Sequence, residues 1–402
     1  MRGRTPGEVL QAHLQEKKFL LILDNFEHVM EAAPEVAELS QFCSNLAILV
    51  TSRAPLHIRG EQEYPVQPLA LPASTRSPAL EEVVGSPSGR LFVERARAIS
   101  SAFEFTGANT TAVASICWRL AGIPLALELA AAKTKFLDPT TLLSRLDRAL
   151  STSWERDLPD RQKTMRATLD WSHDLLSKPE KALFRHLSVF VGGFTLEAAE
   201  VVGASGETGV EDVLGLIGRL VEQSLVTVKP GSGGEVRYGM LEPVRQYALE
   251  KLKESGEAGE TRRRHTTFFL ELAEQARPEL RASAQLDWLE RLEEENGNLR
   301  AAMSRELAES DTETATRLGW ALWTFWWLRD HQLESHRWIE ALLKQEIPPT
   351  VRPRAIQVAA MTVYLQGERE ESAKLLREAL ELSRRVDDTL CTGYVWFWLG
   401  LE

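Results

Sequence analysis

The 402-residue chain contains no Gly-Lys dipeptide. That excludes a GxxxxGK[ST] phosphate loop, whose backbone N–H groups and lysine hold the β- and γ-phosphates of a nucleotide. Cysteine is scarce: Cys43, Cys117 and Cys391 lie far apart, form no CxxC pair and make no disulfide framework. With no export signal after the basic start MRGR, a reducing cytoplasm is the expected location. No apolar stretch approaches the roughly 18 residues that a membrane-spanning helix needs. The eight histidines are scattered, with no HExxH and no Cys/His cluster, which argues against a metal enzyme. Lys and Arg total 47 against 58 Asp and Glu, a formal charge of −11, so no broad nucleic-acid-binding surface is expected.

What is present begins with KKFLLILDNFEHV at 17–29, a short apolar run ending in Asp24. Such a run reads as a buried parallel strand that delivers a carboxylate to the sheet's carboxyl edge, where open α/β sheets hold their ligands. There Asp24 can hold Mg²⁺; the competing role is a solvated cap on the next helix. The helical stretch AAPEVAELSQFC and a second apolar run, LAILVTSR, complete a parallel strand–helix–strand unit. EYPVQPLALP leads out of this layer, and TRSPALEEVVGSPSG, rich in Ser, Pro and Gly, reads as loop. Four helical patterns over 90–150 form a small helical module. In it, AGIPLAL ends one helix at Gly122 and starts the next at Pro124.

Helical patterns over 164–176, 179–190, 195–202 and 210–223, two alternating strands around PGSGG, and a closing helix read as a winged helix. Its candidate recognition helix, EDVLGLIGRLVEQ, sets Glu211, Asp212 and Glu222 against a lone Arg219, a poor surface for base edges or phosphate. Met240 reads as core. KESGEAGE reads as a charged linker, and TRRRHTT as a solvated basic face at a helix start. From 260 onward all is helical, and YLQGEREESAKLLREALELSRRVDD has the glycine turn and spacing of a tetratricopeptide repeat. Trp320, Trp323, Trp326 and Trp327, with Trp338, Trp396 and Trp398, read as packing between repeat helices; the alternative is a concave ligand surface.

Five motifs then occur in order: LLILDNFEHV, ILVTSRAPLHIRGEQEYPVQPLALP, GIPLALELAAAK, RDLPDRQKTMRATLDWSHDLL and FRHLSVFVGGFTLEAAE. Together they resemble the STAND signal-transduction ATPases, as found in bacterial LuxR- and AfsR-type transcriptional regulators. The implied architecture is multidomain and mostly α. It comprises a partial nucleotide-binding α/β domain at 1–72, a helical ARC-like domain at 73–150, a winged helix at 151–254 and TPR-like repeats at 255–402. The resemblance implies an ATP/ADP switch with Mg²⁺, opened by ATP and an inducer for assembly. Protein partners or a small inducer would meet the repeats.

In that frame Asp24 is the Walker B acid and metal ligand, and Asn25 stands where many relatives carry a second acid. An amide cannot take a proton from water, so hydrolysis, if present, is expected to be slow. Glu27 could substitute as the base; its alternative is an exposed helix carboxylate. Arg53 would sense the γ-phosphate with Thr51 and Ser52 as helpers, and Pro124 would pack against the base. Leu241, within Met240-Leu241-Glu242, stands where NB-ARC proteins have the histidine of Met-His-Asp, and it cannot bond a β-phosphate. Without the phosphate loop, the chain reads as a piece of a longer switch that by itself binds nucleotide weakly or not at all. The alternatives are a non-enzymatic protein scaffold and a DNA-binding winged-helix regulator.

Overall fold

A computed structural model describes residues 6–52, 54–76, 78–151, 160–204 and 213–400, which divide into two compact units, 1–67 and 68–402. The first unit contains α1 (Pro6–Leu14), β1 (Phe19–Leu23), α2 (Ala33–Phe42) and β2 (Leu46–Val50). The strands pair in parallel, with Phe19 opposite Leu46 and Leu23 opposite Val50. Pro34 sits in the first turn of α2, where its missing N–H costs nothing. Leu14, Leu39 and Cys43 pack on Leu21, Leu46 and Ile48. Phe26 and Val36 pack with Leu23 and Val50. The expected full burial of β1 is corrected. Helices cover the sheet from one side, and Phe19, Leu20, Ile22 and Leu49 are exposed among the described residues.

The second unit opens with five helices: α3 (Leu80–Gly85), α4 (Pro87–Ile99), α5 (Thr110–Arg119), α6 (Pro124–Ala132) and α7 (Pro139–Ser151). The loop expected at 75–89 is therefore partly helical. The SP pair that suggested loop is a helix start: Ser86 Oγ accepts from Gly89 N at 3.2 Å, and Pro87 begins α4. Phe92, Ile116, Leu120, Leu127, Leu142 and Leu146 form this module's core. Trp171, on α8 (Asp160–Asp174), joins the same core.

Next come α9 (Lys178–Leu187), α10 (Leu196–Gly203) and α11 (Val213–Glu222). They precede β3 (Thr227–Pro230) and β4 (Val236–Gly239), which pair antiparallel as a wing. Phe194 bridges to Tyr238 as a third short strand. Glu180 accepts from Ser177 N at 2.8 Å and so closes the start of α9. α12 (Glu242–Ser255) ends at Gly256, with φ +77°.

The remaining elements are all helices: α13 (Ala258–Glu279), α14 (Gln285–Glu294), α15 (Asn296–Glu309), α16 (Thr312–Leu328), α17 (Gln332–Leu343), α18 (Arg352–Leu365), α19 (Arg369–Arg385) and α20 (Thr389–Leu399). Gly367, at φ +86°, makes the turn that YLQGER suggested. The expected linker KESGEAGE is corrected. α12 runs through Ser255, and two residues later α13 begins. Nor are the winged helix and the following helices separate bodies, because one hydrophobic core runs from Leu183 through Phe269 to Trp320 and Val395. Arg264 of the basic run is also not merely solvated: it donates to the Ala204 and Val202 carbonyls, where α10 ends. No described helix is long and apolar enough to cross a membrane.

Candidate functional site

In the first unit the two parallel strands end side by side, so Asp24 follows β1 next to Thr51, which follows β2. Thr51 Oγ1 donates to Asp24 Oδ1, and Asn25 N donates to Thr51 Oγ1 at 3.0 Å. Thr51 N donates to Leu23 O and Phe26 N to Thr51 O, both at 2.9 Å, which ties the two strand ends together. Asp24 therefore presents an exposed, oriented carboxylate at the carboxyl edge. Asn25 has a backbone reason to be asparagine: its φ of 55° is left-handed, a conformation that Asn tolerates and bulkier residues avoid. Glu27 is half-buried in the 3₁₀ turn Phe26–His28. Arg53 lies outside the described residues. No group of three or more His, Cys, Asp or Glu could hold a metal ion among the described residues.

Pro124 belongs to the second unit, exposed in the first turn of α6. Ala121 and Gly122 before it both have positive φ, 51° and 66°. Gly122 O accepts from Leu69 N at 3.0 Å. A Cβ on Gly122 would lie 2.2 Å from Leu69 O, so glycine is required at this position by backbone contact with Leu69.

Polar side chains lock the winged helix on two sides. On one side the ammonium of Lys133 is buried and donates to Gln223 Oε1 at 2.9 Å. Burial pushes its pKa down to about 8, against an opposing pull from Glu180. Lys135 pairs with Glu222 at 2.6 Å, and Arg219 donates to Glu180 Oε1 at 2.6 Å. The carboxyl end of α11 is thus held by the α6 module and α9. Its outward residues, Leu214, Gly215, Gly218, Arg219 and Glu222, include a single base. Glu211 and Asp212, which began the expected recognition helix, lie outside the described residues.

On the other side Asn298 is fully buried. It accepts from Val191 N at 2.7 Å and donates to Gly193 O at 2.9 Å and Glu295 Oε2 at 2.7 Å. Arg237 of the wing donates to Glu295 Oε1 at 2.5 Å in a buried pair. Sequence reasoning missed both locks; the available signal was ENGN at 295–298, a glycine between polar residues at a helix start. Met240 packs half-buried against the core as expected, Leu241 is exposed, and Glu242 is held by Arg245 through two bonds of 2.9 Å.

Residues 176–253 match the family model "Winged helix-turn-helix domain", which agrees with α9–α12 and the wing. The chain contains a winged helix-turn-helix domain. It is 35% identical over 402 residues to a protein of Mycobacterium tuberculosis (strain ATCC 25618 / H37Rv) named "Putative HTH-type transcriptional regulator", covering 96% of this chain and 43% of that protein. A second protein of that strain, named "Uncharacterized protein", is 40% identical over 261 residues, covering 64% of this chain and 63% of its own. The chain thus spans less than half the length of the first relative. A crystal structure of a Signal Transduction ATPase with Numerous Domains from Pyrococcus horikoshii, with a tetratricopeptide repeat sensor, aligns at TM-score 0.41 and 14% identity. That alignment covers 97% of this chain and 53% of that one.

Proposed function

We propose that this chain is the regulatory portion of a STAND-type signalling switch that controls transcription, with the winged helix serving as an internal joint. The observation that carries the reading is the double lock on that domain. Lys133–Gln223 and Lys135–Glu222 hold it to the α6 module, while Asn298 and Arg237–Glu295 hold it to the downstream helices. A domain braced on both sides is placed to pass a change in the helical array to the rest of the chain. The name of the mycobacterial relative supports the link to transcription.

The second part of the proposal is a nucleotide edge at Asp24. A carboxylate and a hydroxyl side by side at the carboxyl ends of parallel strands suit Mg²⁺, a hard cation that takes one or two protein oxygens and fills its shell with water and phosphate. The bound ion would neutralise charge between the β- and γ-phosphates of ATP. Asp24 would be its protein ligand, Thr51 would fix that carboxylate, and Arg53 would read the γ-phosphate. Asn25 offers no base, so hydrolysis would be slow.

Two measurements test this. Placing a strand–GxxxxGK[ST]–helix segment ahead of residue 1 should confer Mg²⁺-dependent ATP binding, and Asp24→Ala should remove the Mg²⁺ dependence. A folded fusion that binds ATP equally well with and without Asp24 refutes the metal role. In fluorescence anisotropy at physiological salt, duplex DNA should bind no tighter than about 10⁻⁶ M. Sequence-selective binding below that value would turn the winged helix into a DNA reader.

A further inference from the structure

The aromatic residues of the last helices converge on a groove that the proposal above does not use. α16, α18 and α20, with the turn at 280–285, line a cavity of about 880 Å³. Its walls carry Trp323, Trp327, Tyr364, Tyr394, Phe397 and Trp398. Trp323 and Trp327 stack with 10° between their planes, and Trp398 stands edge-on to both. The tryptophans are therefore partly core, the expected role, and partly the wall of a groove, the alternative one. Trp320, Trp323 and Trp326 are buried, but Trp327 is 42% exposed and Phe397 59%.

One end of the groove is cationic. The Arg281 guanidinium lies 4.3 Å from the Tyr394 ring centre and 5.3 Å from that of Trp323. Beyond Tyr394, Arg277 and Arg354 lie 4.0 and 4.2 Å from the Trp320 ring centre. Asp388 pairs with Arg354 at 2.6 Å. Among the described residues no carboxylate pairs with Arg277 or Arg281, and the buried Nη1 of Arg277 has no hydrogen-bond partner. A chain of net charge −11 thus keeps two unpaired guanidinium groups beside its aromatic groove.

We propose that this groove binds a small amphiphilic anion, an apolar body with one carboxylate. The body lies against Trp323, Trp327 and Trp398, and the carboxylate meets Arg281. Aromatic walls with a few placed polar groups are the ordinary form of a small-molecule site, and the volume lies within the usual range. An apolar helix seated here would cover the Arg281 guanidinium without pairing it, which is costly; a small anion pairs it. The inference depends neither on the nucleotide edge nor on DNA.

The test is calorimetric titration of the full chain with decanoate and with 2-naphthoate, against decanol as the uncharged control. The two acids separate an extended apolar body from a flat one. At least one should bind saturably at one per chain, about tenfold or more tighter than decanol. Arg281→Gln changes an exposed residue. It should weaken the acid about tenfold or more and leave decanol unchanged. Trp327→Ala, also at an exposed position, should weaken both. Four results overturn the proposal: no saturable heat from either acid up to about 1 mM; equal binding of acid and decanol with no effect of Arg281→Gln; binding untouched by Trp327→Ala; or a dimer in sedimentation that neither acid dissociates.

Discussion

Replacing Asn298 by alanine tests how firmly the winged helix is joined to the helices after it. The side chain is fully buried, with Val191 N, Gly193 O and Glu295 Oε2 as partners. Alanine removes two hydrogen bonds to backbone groups, worth about 0.5–1.5 kcal/mol each, and a bond to a charged group worth about 1.5–3 kcal/mol. The expected loss is about 2.5–6 kcal/mol, with a small cavity added. That is a large share of the roughly 5–15 kcal/mol that separates a folded domain from its unfolded chain. Urea unfolding followed by tryptophan fluorescence, whose sources all lie in the second unit, should show one transition, moved to lower urea. Gly297→Ala should act in the same direction, because its Cβ would lie 2.7 Å from Val191 O. A loss below about 1 kcal/mol, within the ordinary range of surface substitutions, would refute the lock. Two separate transitions, with only one moved, would show that the shared core does not fold as a unit.

Lys133→Met should change the alkaline stability profile. The folded pKa of about 8 lies below the ordinary 10.5, so the unfolded chain binds the proton more strongly between those values. Wild-type stability should gain up to about 3 kcal/mol from this group as pH rises from 8 to 10.5, and the variant should lack that gain. Parallel urea midpoints for the two proteins across this range would exclude the effect. His265 works at the acid end. Burial against Phe190 and Phe269 pushes its pKa down to about 4, so its neutral form supports the fold above the ordinary 6.5. That support should drain as pH falls from 6.5 to 4, and His265→Phe should flatten this part of the profile. An unchanged acid limb in the variant would assign the loss to other groups, His173 first.

The sequence by itself determined the local elements and their order. FLLIL and LAILV are strands because five apolar residues in a row, bounded by charge and turn residues, have no other short regular form to take. GIP, PGSGG and LQGE set their turns through glycine conformations and the fixed φ of proline, which act within a few residues. The position of Asp24 at a strand end was likewise legible, since it follows from strand length alone. Tertiary structure decided what depends on neighbours distant in the chain. Thr51 holds Asp24 from 27 residues away, and Lys133 meets Gln223 across 90. KESGEAGE has linker composition, yet it folds as helix, two-residue joint and helix, because the flanking apolar faces share one core. The tryptophan spacing fixed a helical stripe, but only packing separated Trp320, buried between helices, from Trp327, open to the groove. Spacing along one helix cannot register which face a later helix covers, and that selection made part of an aromatic core into a surface able to hold a ligand.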